Sequence, residues 1–347
     1  MGDIMRSQNP FTLTFGKKPD SFISRYENTS KVIDTFCNTS LSQTYLIEGV
    51  RGSGKTVLMT SIANELQSDR EWIVIDLNPS LPLLDDMARR LNDSCRLIPN
   101  ALKGINISFA GTGMGIDQNE ALHDSISVIK SILDVMKKKK KKILITIDEV
   151  MHNDNMRIFA SQFQIFIRED YPLYLIMTGL AENVHSIQND PALTFLLRSP
   201  KLNLGPLSTL QINRKYREIL GVDEERAKEL SSITKGYAFA FQALGAVCWE
   251  HRGKMVTEKI LENLDEMLDD YVYRKIWSTL TEKEKEILLS ITHDDTKTSE
   301  ICEKTGIRPN SYSKYRSNLI EKGLITSTGH GYNTLSLPRF YEVVKMY

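Results

Sequence analysis

No stretch of this sequence approaches the ~20 apolar residues that a membrane-spanning helix needs, and residues 1–10 lack the apolar run of a secretory signal. The expectation is a cytoplasmic protein with no membrane partner. Cysteine is scarce. Cys37, Cys95, Cys248 and Cys302 lie far apart with no CxxC pair, and the six histidines form no HxxxH or Cys/His cluster. That argues against a zinc site, and free buried thiols in a reducing compartment are the simpler reading. Nor is there a surplus of either charge: 44 Lys and Arg balance 44 Asp and Glu. Proteins that coat nucleic acid nonspecifically carry a basic excess, so any such role would rest on a local patch. There is no internal repeat, and the only low-complexity tract is a run of six lysines at 137–142.

What is there is an ordinary globular composition, 41% hydrophobic and 25% charged over 347 residues, a length that suggests two or three domains. A helix-like segment around 26–36 precedes a short buried strand at 43–48 and then a glycine-rich loop. Residues 55–66 read as a helix, with Leu58, Ile62 and Leu66 on one face. Strands follow at 71–77 (EWIVIDL), 143–150 (ILITIDEV) and 173–178 (LYLIMT), the last two apolar and bounded as in sheets buried on both faces. Between them, 81–91, 122–136 and 159–168 have helical spacing, and 104–117 alternates like an edge hairpin. The lysine run reads as a solvated loop at the sheet edge away from the 148 end of its strand, or as a contact for an acidic partner or nucleic acid. Strands alternating with helices call for a doubly wound parallel α/β domain over 1–205. Helices are expected at 208–220, 223–233, 237–250 and 258–280, making a helical lid over 206–279.

The strongest motif is GVRGSGKT: Gly49, Val50, Arg51, Gly52, Ser53, Gly54, Lys55 and Thr56 fit G-x-x-x-x-G-K-[ST] at every required position. Glycines let backbone N–H groups turn around phosphate oxygens, and the helix that starts with Lys55, Thr56 and Val57 adds its positive end. Lys55 would reach the β- and γ-phosphates and the Thr56 hydroxyl would bind Mg²⁺. The strand before the loop and the amphipathic helix after it separate this motif from a plain glycine turn. Asp148, at the end of its apolar strand, is the expected second element, a carboxylate that can hold Mg²⁺, and Glu149 beside it would orient or activate the attacking water. Thr178 ends the next strand, where it either senses the γ-phosphate or is a strand-terminal threonine of ordinary β propensity. Arg198, in the helix-like PALTFLLRSP, either reaches a phosphate in cis or from a neighbouring subunit of a homo-oligomer, or forms a surface ion pair.

The last stretch, 280–347, reads as a separate unit. Thr281 and Glu284 make a capping box ahead of Ile287, Leu288 and Ile291; a short helix at 299–304 is followed by Gly306. A third helix begins near Pro309, shows Tyr312, Tyr315, Leu319 and Ile320 on one face and ends at Gly323. Two short strands, 324–326 and 334–337, flank a turn rich in Gly and Asn that contains His330. Three helices and a ribbon make a winged helix. Arg308, Asn310, Ser313, Lys314 and Arg316 are available for duplex DNA. Residues 281–347 hold ten basic against nine acidic side chains, which gives little phosphate attraction; packing on the lid or binding a protein client is the alternative.

The paired motifs GVRGSGKT and ILITIDEV, with LYLIMTG and the closing winged helix, resemble the AAA+ P-loop ATPases of the replication-initiator and STAND-like group. The opening Asn9-Pro-Phe-Thr-Leu-Thr-Phe-Gly16, followed by Phe22-Ile-Ser-Arg25, is similar to bacterial and archaeal AAA+ "ATP-binding proteins" of that group. The resemblance implies an arginine, here Arg25, near the adenine or ribose end of the nucleotide, although Ser24 stands where glycine is common. It also implies a GYP-type lid turn, here Gly236-Tyr237-Ala238 with alanine for proline, and it finds no sensor-2 arginine, which suggests slow turnover or a nucleotide-gated switch. The expectation is an α/β P-loop NTPase (ASCE/AAA+) with ATP and Mg²⁺, a helical lid and a winged helix. It would act as a hydrolysing switch in a DNA transaction, or as a nonenzymatic ATP-binding signalling scaffold. A small-molecule kinase would have no evident use for the DE pair or the winged helix.

Overall fold

A computed structural model describes residues 8–14, 19–39, 41–96, 118–251, 256–292, 295–329 and 331–347. The hairpin expected at 104–117, and His330, lie outside the described residues. By internal contacts the chain divides into two units. One comprises Tyr26–Glu48 and Lys55–Asn203; the other comprises the N-terminal segment ending at Arg25, Gly49–Gly54 and Leu204–Tyr347.

The first unit is a parallel sheet with helices. Its elements are α1 (Tyr26–Asp34), β1 (Thr44–Glu48), α2 (Lys55–Gln67), β2 (Trp72–Leu77), α3 (Leu83–Arg96), α4 (Gln118–Lys138), β3 (Lys142–Ile147), α5 (Asp154–Arg168), β4 (Leu173–Gly179), α6 (Ala181–Gln188) and β5 (Lys201–Asn203). Five strands pair in parallel in the order β2-β3-β4-β1-β5, with Ile47 opposite Thr178 and Ile147 opposite Met177. All of β1, and β3 from Ile143 to Ile147, are buried, which is why these strands read as continuous apolar runs. One face packs Leu83, Met87, Leu91, Ile129, Leu133, Phe159 and Phe163 against Ile145 and Leu175. On the other, Phe36 meets Tyr45 and Tyr174 at ring-centroid distances of 5.8 and 5.0 Å. Phe36, 2% exposed, contributes about 1.5–3 kcal/mol by leaving water.

Several boundaries differ from the sequence-based expectation. Helix α5 starts at Asp154, not 159, because the Asn153 side chain accepts the Met156 N–H at 2.9 Å and caps an extra turn. The segment Pro191–Arg198 is a 3₁₀ stretch broken at Leu193 rather than a regular helix. The six lysines do not form one solvated loop. Lys137 and Lys138 end α4, Lys142 opens β3, and Lys140 turns the chain at φ 54°. Lys137 Nζ donates to the Glu169 carbonyl (3.2 Å), Lys141 Nζ to the Arg70 carbonyl (2.5 Å), and Lys142 lies 5.3 Å over the Trp72 ring.

The second unit is mainly helical: α7 (Thr209–Leu220), α8 (Glu224–Ile233), α9 (Ala238–Glu250), α10 (Glu258–Leu268), α11 (Arg274–Ser278), α12 (Glu282–Ser290), β6 (Thr296–Lys297), α13 (Thr298–Thr305), α14 (Pro309–Glu321), β7 (Ile325–Gly329), β8 (Tyr332–Leu335) and α15 (Phe340–Val344). The helix expected over 258–280 is interrupted by one π turn, Asp269–Tyr273. Helix α9 is apolar nearly all round because it is the centre of this core. The N-terminal segment is part of that core. Phe11, 4% exposed, sits 5.7 Å from Phe241 and 6.0 Å from Tyr216, while the Thr12 N–H and the Ser21 hydroxyl both donate to Gln242 Oε1 at 3.1 and 2.8 Å. Gly245 makes this possible, since a Cβ there would meet the Phe11 ring at 2.3 Å.

Beyond residue 280, the three helices and the hairpin expected from the sequence are joined by a short extra strand, giving an antiparallel sheet ordered β6-β8-β7. Helix α12 carries the full capping box of Thr281 and Glu284. Helix α14 ends in a Schellman motif: Leu324 N–H donates to Leu319 O and Gly323 N–H to Ile320 O, both at 2.9 Å, with Gly323 at φ +71°. Tyr312 and Leu319 of that helix are buried, but Ile320 is 38% exposed, so the apolar face is narrower than its spacing suggests.

Candidate functional site

In the first unit, four of the motif residues, Thr56, Asp148, Glu149 and Thr178, come together at the C-terminal edge of the sheet. Lys55 and Thr56 open α2, Asp148 follows β3, and Thr178 lies in β4. The Thr56 hydroxyl donates to Asp148 Oδ2 at 2.8 Å, and the Thr178 hydroxyl donates to Asp148 Oδ1. Glu149 N–H donates to Thr178 Oγ1 at 3.2 Å and to Asp148 Oδ1 at 3.1 Å. The Asp148 carboxylate is thus oriented by two hydroxyls, while the Glu149 side chain is exposed on a backbone at φ 52°. Left-handed backbone is uncommon for a non-glycine residue and collects at functional sites. Lys55 is only 9% exposed and Thr178 is fully buried; Val57 is half-buried.

Arg198 ends the 3₁₀ stretch and is exposed. The structure does not bring it into the hydrogen bonds that join Thr56, Asp148, Glu149 and Thr178.

In the second unit, the loop Gly49–Gly54 is shaped by its own residues and by α9. Ser53 N–H closes a turn on Val50 O at 3.2 Å, and Val50 packs beside Gly323, whose Cβ position is 3.3 Å from Val50 Cβ. Gly52 has φ +77°, and a Cβ there would meet the Tyr237 hydroxyl at 2.2 Å, so glycine is required on both conformational and steric grounds. Tyr237 donates to Arg51 O at 2.5 Å, and Phe239 N–H donates to Gly52 O at 3.1 Å. Burial holds the Tyr237 hydroxyl far above its ordinary pKa, with Arg51 opposing, so it stays a donor. Arg25 donates to Ser53 O (3.2 Å) and Gly205 O (2.8 Å), and burial pulls its guanidinium down to about 10, still charged at neutral pH. The resemblance alone gave Arg25 a nucleotide contact; its bonds here are to the carbonyls of Ser53 and Gly205. The role of Tyr237 was not foreseen, although the Gly-Tyr-Ala turn was the available signal.

The residues fit a magnesium–triphosphate group. Ser53 Oγ is buried in the loop with no hydrogen-bond partner, and a hydroxyl beside a carboxylate is the hard-oxygen donor set that Mg²⁺ takes. Among the described residues, no group of three or more His, Cys, Asp or Glu is placed to hold a metal; sites that bind Mg²⁺ through substrate phosphates use fewer protein ligands. No described helix is long and apolar enough to cross a membrane.

On α14 and its cap, Arg308, Asn310, Ser313 and Lys314 are exposed. Arg316 is half-buried, and its Nε donates to Asn333 Oδ1 in β8 at 2.7 Å, which ties it to the hairpin.

The parallel sheet, the loop after β1 and the acidic pair after β3 define the fold of the AAA+ P-loop ATPases. Solved structures agree. The Walker-type ATPase of Pyrococcus abyssi superposes with a TM-score of 0.63 at 14% identity, covering 94% of this chain and 96% of that one. The Aeropyrum pernix ORC2 protein, in ADPNP–ADP complexes, gives 0.64 at 14% identity over 98% and 97%, and the Cdc6p of Pyrobaculum aerophilum gives 0.51 at 14% over 98% and 97%. At these identities the likeness is one of fold. Residues 270–344 match a family described as a domain of unknown function, DUF8462. No curated protein matches the chain in sequence.

Proposed function

We propose that this protein is an ATP-binding AAA+ ATPase that works as a nucleotide-driven switch and hydrolyses MgATP. The observation that carries the proposal is the bond from Thr56 to Asp148, which sets a hydroxyl and a carboxylate side by side next to the motif lysine. Bound MgATP would supply the labile phosphoanhydride and the metal charge. Residues 49–54 would present backbone N–H groups to the phosphates, Lys55 would hold the β- and γ-phosphates, and Thr56 and Asp148 would hold the metal. Glu149, exposed and turned by its left-handed backbone, would orient water and take its proton. Thr178, bonded to both Asp148 and the Glu149 backbone, would report on the γ-phosphate. Arg198, being exposed, suits a role in trans in a homo-oligomer better than one in cis.

The region 280–347 is proposed as a winged helix, with 1–205 as the nucleotide-binding domain and 206–279 as the lid. Exposed Arg308, Asn310, Ser313 and Lys314 favour duplex DNA as its partner; Arg316 would serve through the β8 hairpin rather than at a base edge. The rival is a signalling scaffold that binds ATP without turning it over and uses this region for a protein client. Steady-state ATPase with and without duplex DNA separates the two, since only a DNA-transaction ATPase is stimulated. Lys55→Ala is expected to abolish nucleotide binding, and unaltered MgATP titration of that variant would defeat the proposal.

A further inference from the structure

We infer that Tyr237, Phe239 and Arg25 form an outer brace on the phosphate loop, and that Tyr237 and Arg25 are positioning residues that set nucleotide affinity through the loop backbone. The inference rests on the nucleotide-binding reading of residues 49–56. Three consecutive carbonyls are held from outside the loop: Arg51 O by the Tyr237 hydroxyl, Gly52 O by the Phe239 N–H and Ser53 O by the Arg25 guanidinium.

The peptide unit is planar and trans, so a carbonyl and the N–H that follows it point in opposite directions. Holding Arg51 O therefore aims the Gly52 N–H away from Tyr237, and holding Ser53 O aims the Gly54 N–H away from Arg25. The intervening Ser53 N–H is used within the loop, on Val50 O. The brace thus fixes the two glycine N–H groups that a phosphate would meet. An anion site whose donors are already oriented has less conformational entropy to lose on binding. Its members come from distant parts of the chain: Tyr237 lies 186 positions from Arg51, and Arg25 lies 28 from Ser53. The Tyr237 ring also fills the space over Gly52, where a Cβ would clash with the hydroxyl. Helix α9, which begins at Ala238, carries the core contacts of Phe11 further along its length, so the N-terminal segment and the loop share one support.

The test compares wild-type protein with Tyr237→Phe, which keeps the ring and removes one donor. Binding of MgADP is measured by calorimetry, and amide hydrogen exchange of the peptide covering residues 49–56 is measured without nucleotide. The brace predicts roughly tenfold weaker MgADP binding, in line with loss of one buried hydrogen bond, together with severalfold faster exchange in that peptide. Arg25→Met removes the brace from the other side and carries the same two expectations, so a folding failure of either variant leaves the other to decide. If both properties are unchanged in variants while wild type binds MgADP, the brace is wrong and the ATP reading stands. If wild type binds no MgADP, the ATP reading fails, and the exchange rates alone decide whether the brace shapes the loop.

Discussion

The Thr56 hydroxyl hydrogen-bonds Asp148 Oδ2 at 2.8 Å, joining the first turn of α2 to the end of β3 across 92 positions of sequence. Two residues singled out separately from local patterns thus share one bond. Asp148→Asn keeps the size and removes the charge, so it should weaken Mg²⁺-dependent ADP binding by about 10–100-fold, the range for supporting groups at metal sites. Titrations with Mg²⁺ and with EDTA should differ in wild type and converge in the variant. A variant with unchanged magnesium dependence would remove Asp148 from the site.

Glu149 is exposed and held at positive φ beside that carboxylate. Glu149→Gln should bind ATP as wild type does and hydrolyse it about 10²–10⁴-fold more slowly, the contribution expected of a general base. Recovery of intact ATP from the washed variant checks this. Hydrolysis at the wild-type rate would show that the base lies elsewhere.

Glu284 is almost fully buried and bonds Lys322 Nζ (2.8 Å), Asn318 Nδ2 (2.6 Å) and Thr281 N–H (2.8 Å), linking α12 to the end of α14. Burial pushes its pKa up, but the bonds from Lys322 and Thr281 outweigh that and leave it below the usual 4.5. A carboxylate whose folded pKa is depressed stabilises the fold above its unfolded value, and that stability disappears as pH falls through the folded value. The C-terminal region should therefore lose stability as pH drops below 4.5, and Glu284→Gln should flatten that limb of a pH-dependent melt. Glu284→Ala leaves the half-buried Lys322 and the Asn318 amide without their acceptor and should cost about 1–3 kcal/mol in chemical denaturation. A loss within measurement error would show the pair to be dispensable.

Phe11 and Gly245 are complementary in shape. Phe11→Ala should destabilise the fold by about 3–5 kcal/mol through lost burial and a residual cavity. Gly245→Ala should cost about 1–3 kcal/mol through overpacking. Because both act on one contact, the double variant should lose less than the sum of the single losses. Additive losses in urea denaturation would mean that the two do not share a contact.

The sheet was legible because its strands are buried on both faces and interrupt the helical periodicity, as 143–147 and 173–178 illustrate. Shorter or less apolar elements escaped. Strand β5 has only three residues and β6 two, held in place by register with β1 and β8 rather than by any pattern of their own. Helix α6, with a polar, mixed sequence, was hidden for the same reason. The start of α5 was missed because the Asn153 cap stands inside a polar stretch that resembles a loop.

Sequence alone determined the glycine loop GVRGSGKT, the acidic pair and the positions of the main strands. Each depends on residues a few positions apart, where spacing and hydrophobic period carry the information. Only the tertiary structure decided that Phe11 fills a notch over Gly245, that the buried Glu284 pairs with the half-buried Lys322, and that Tyr237 and Arg25 hold the loop carbonyls. These are contacts between residues far apart in the chain, whose strength comes from shared exclusion of water, a property that no local pattern encodes.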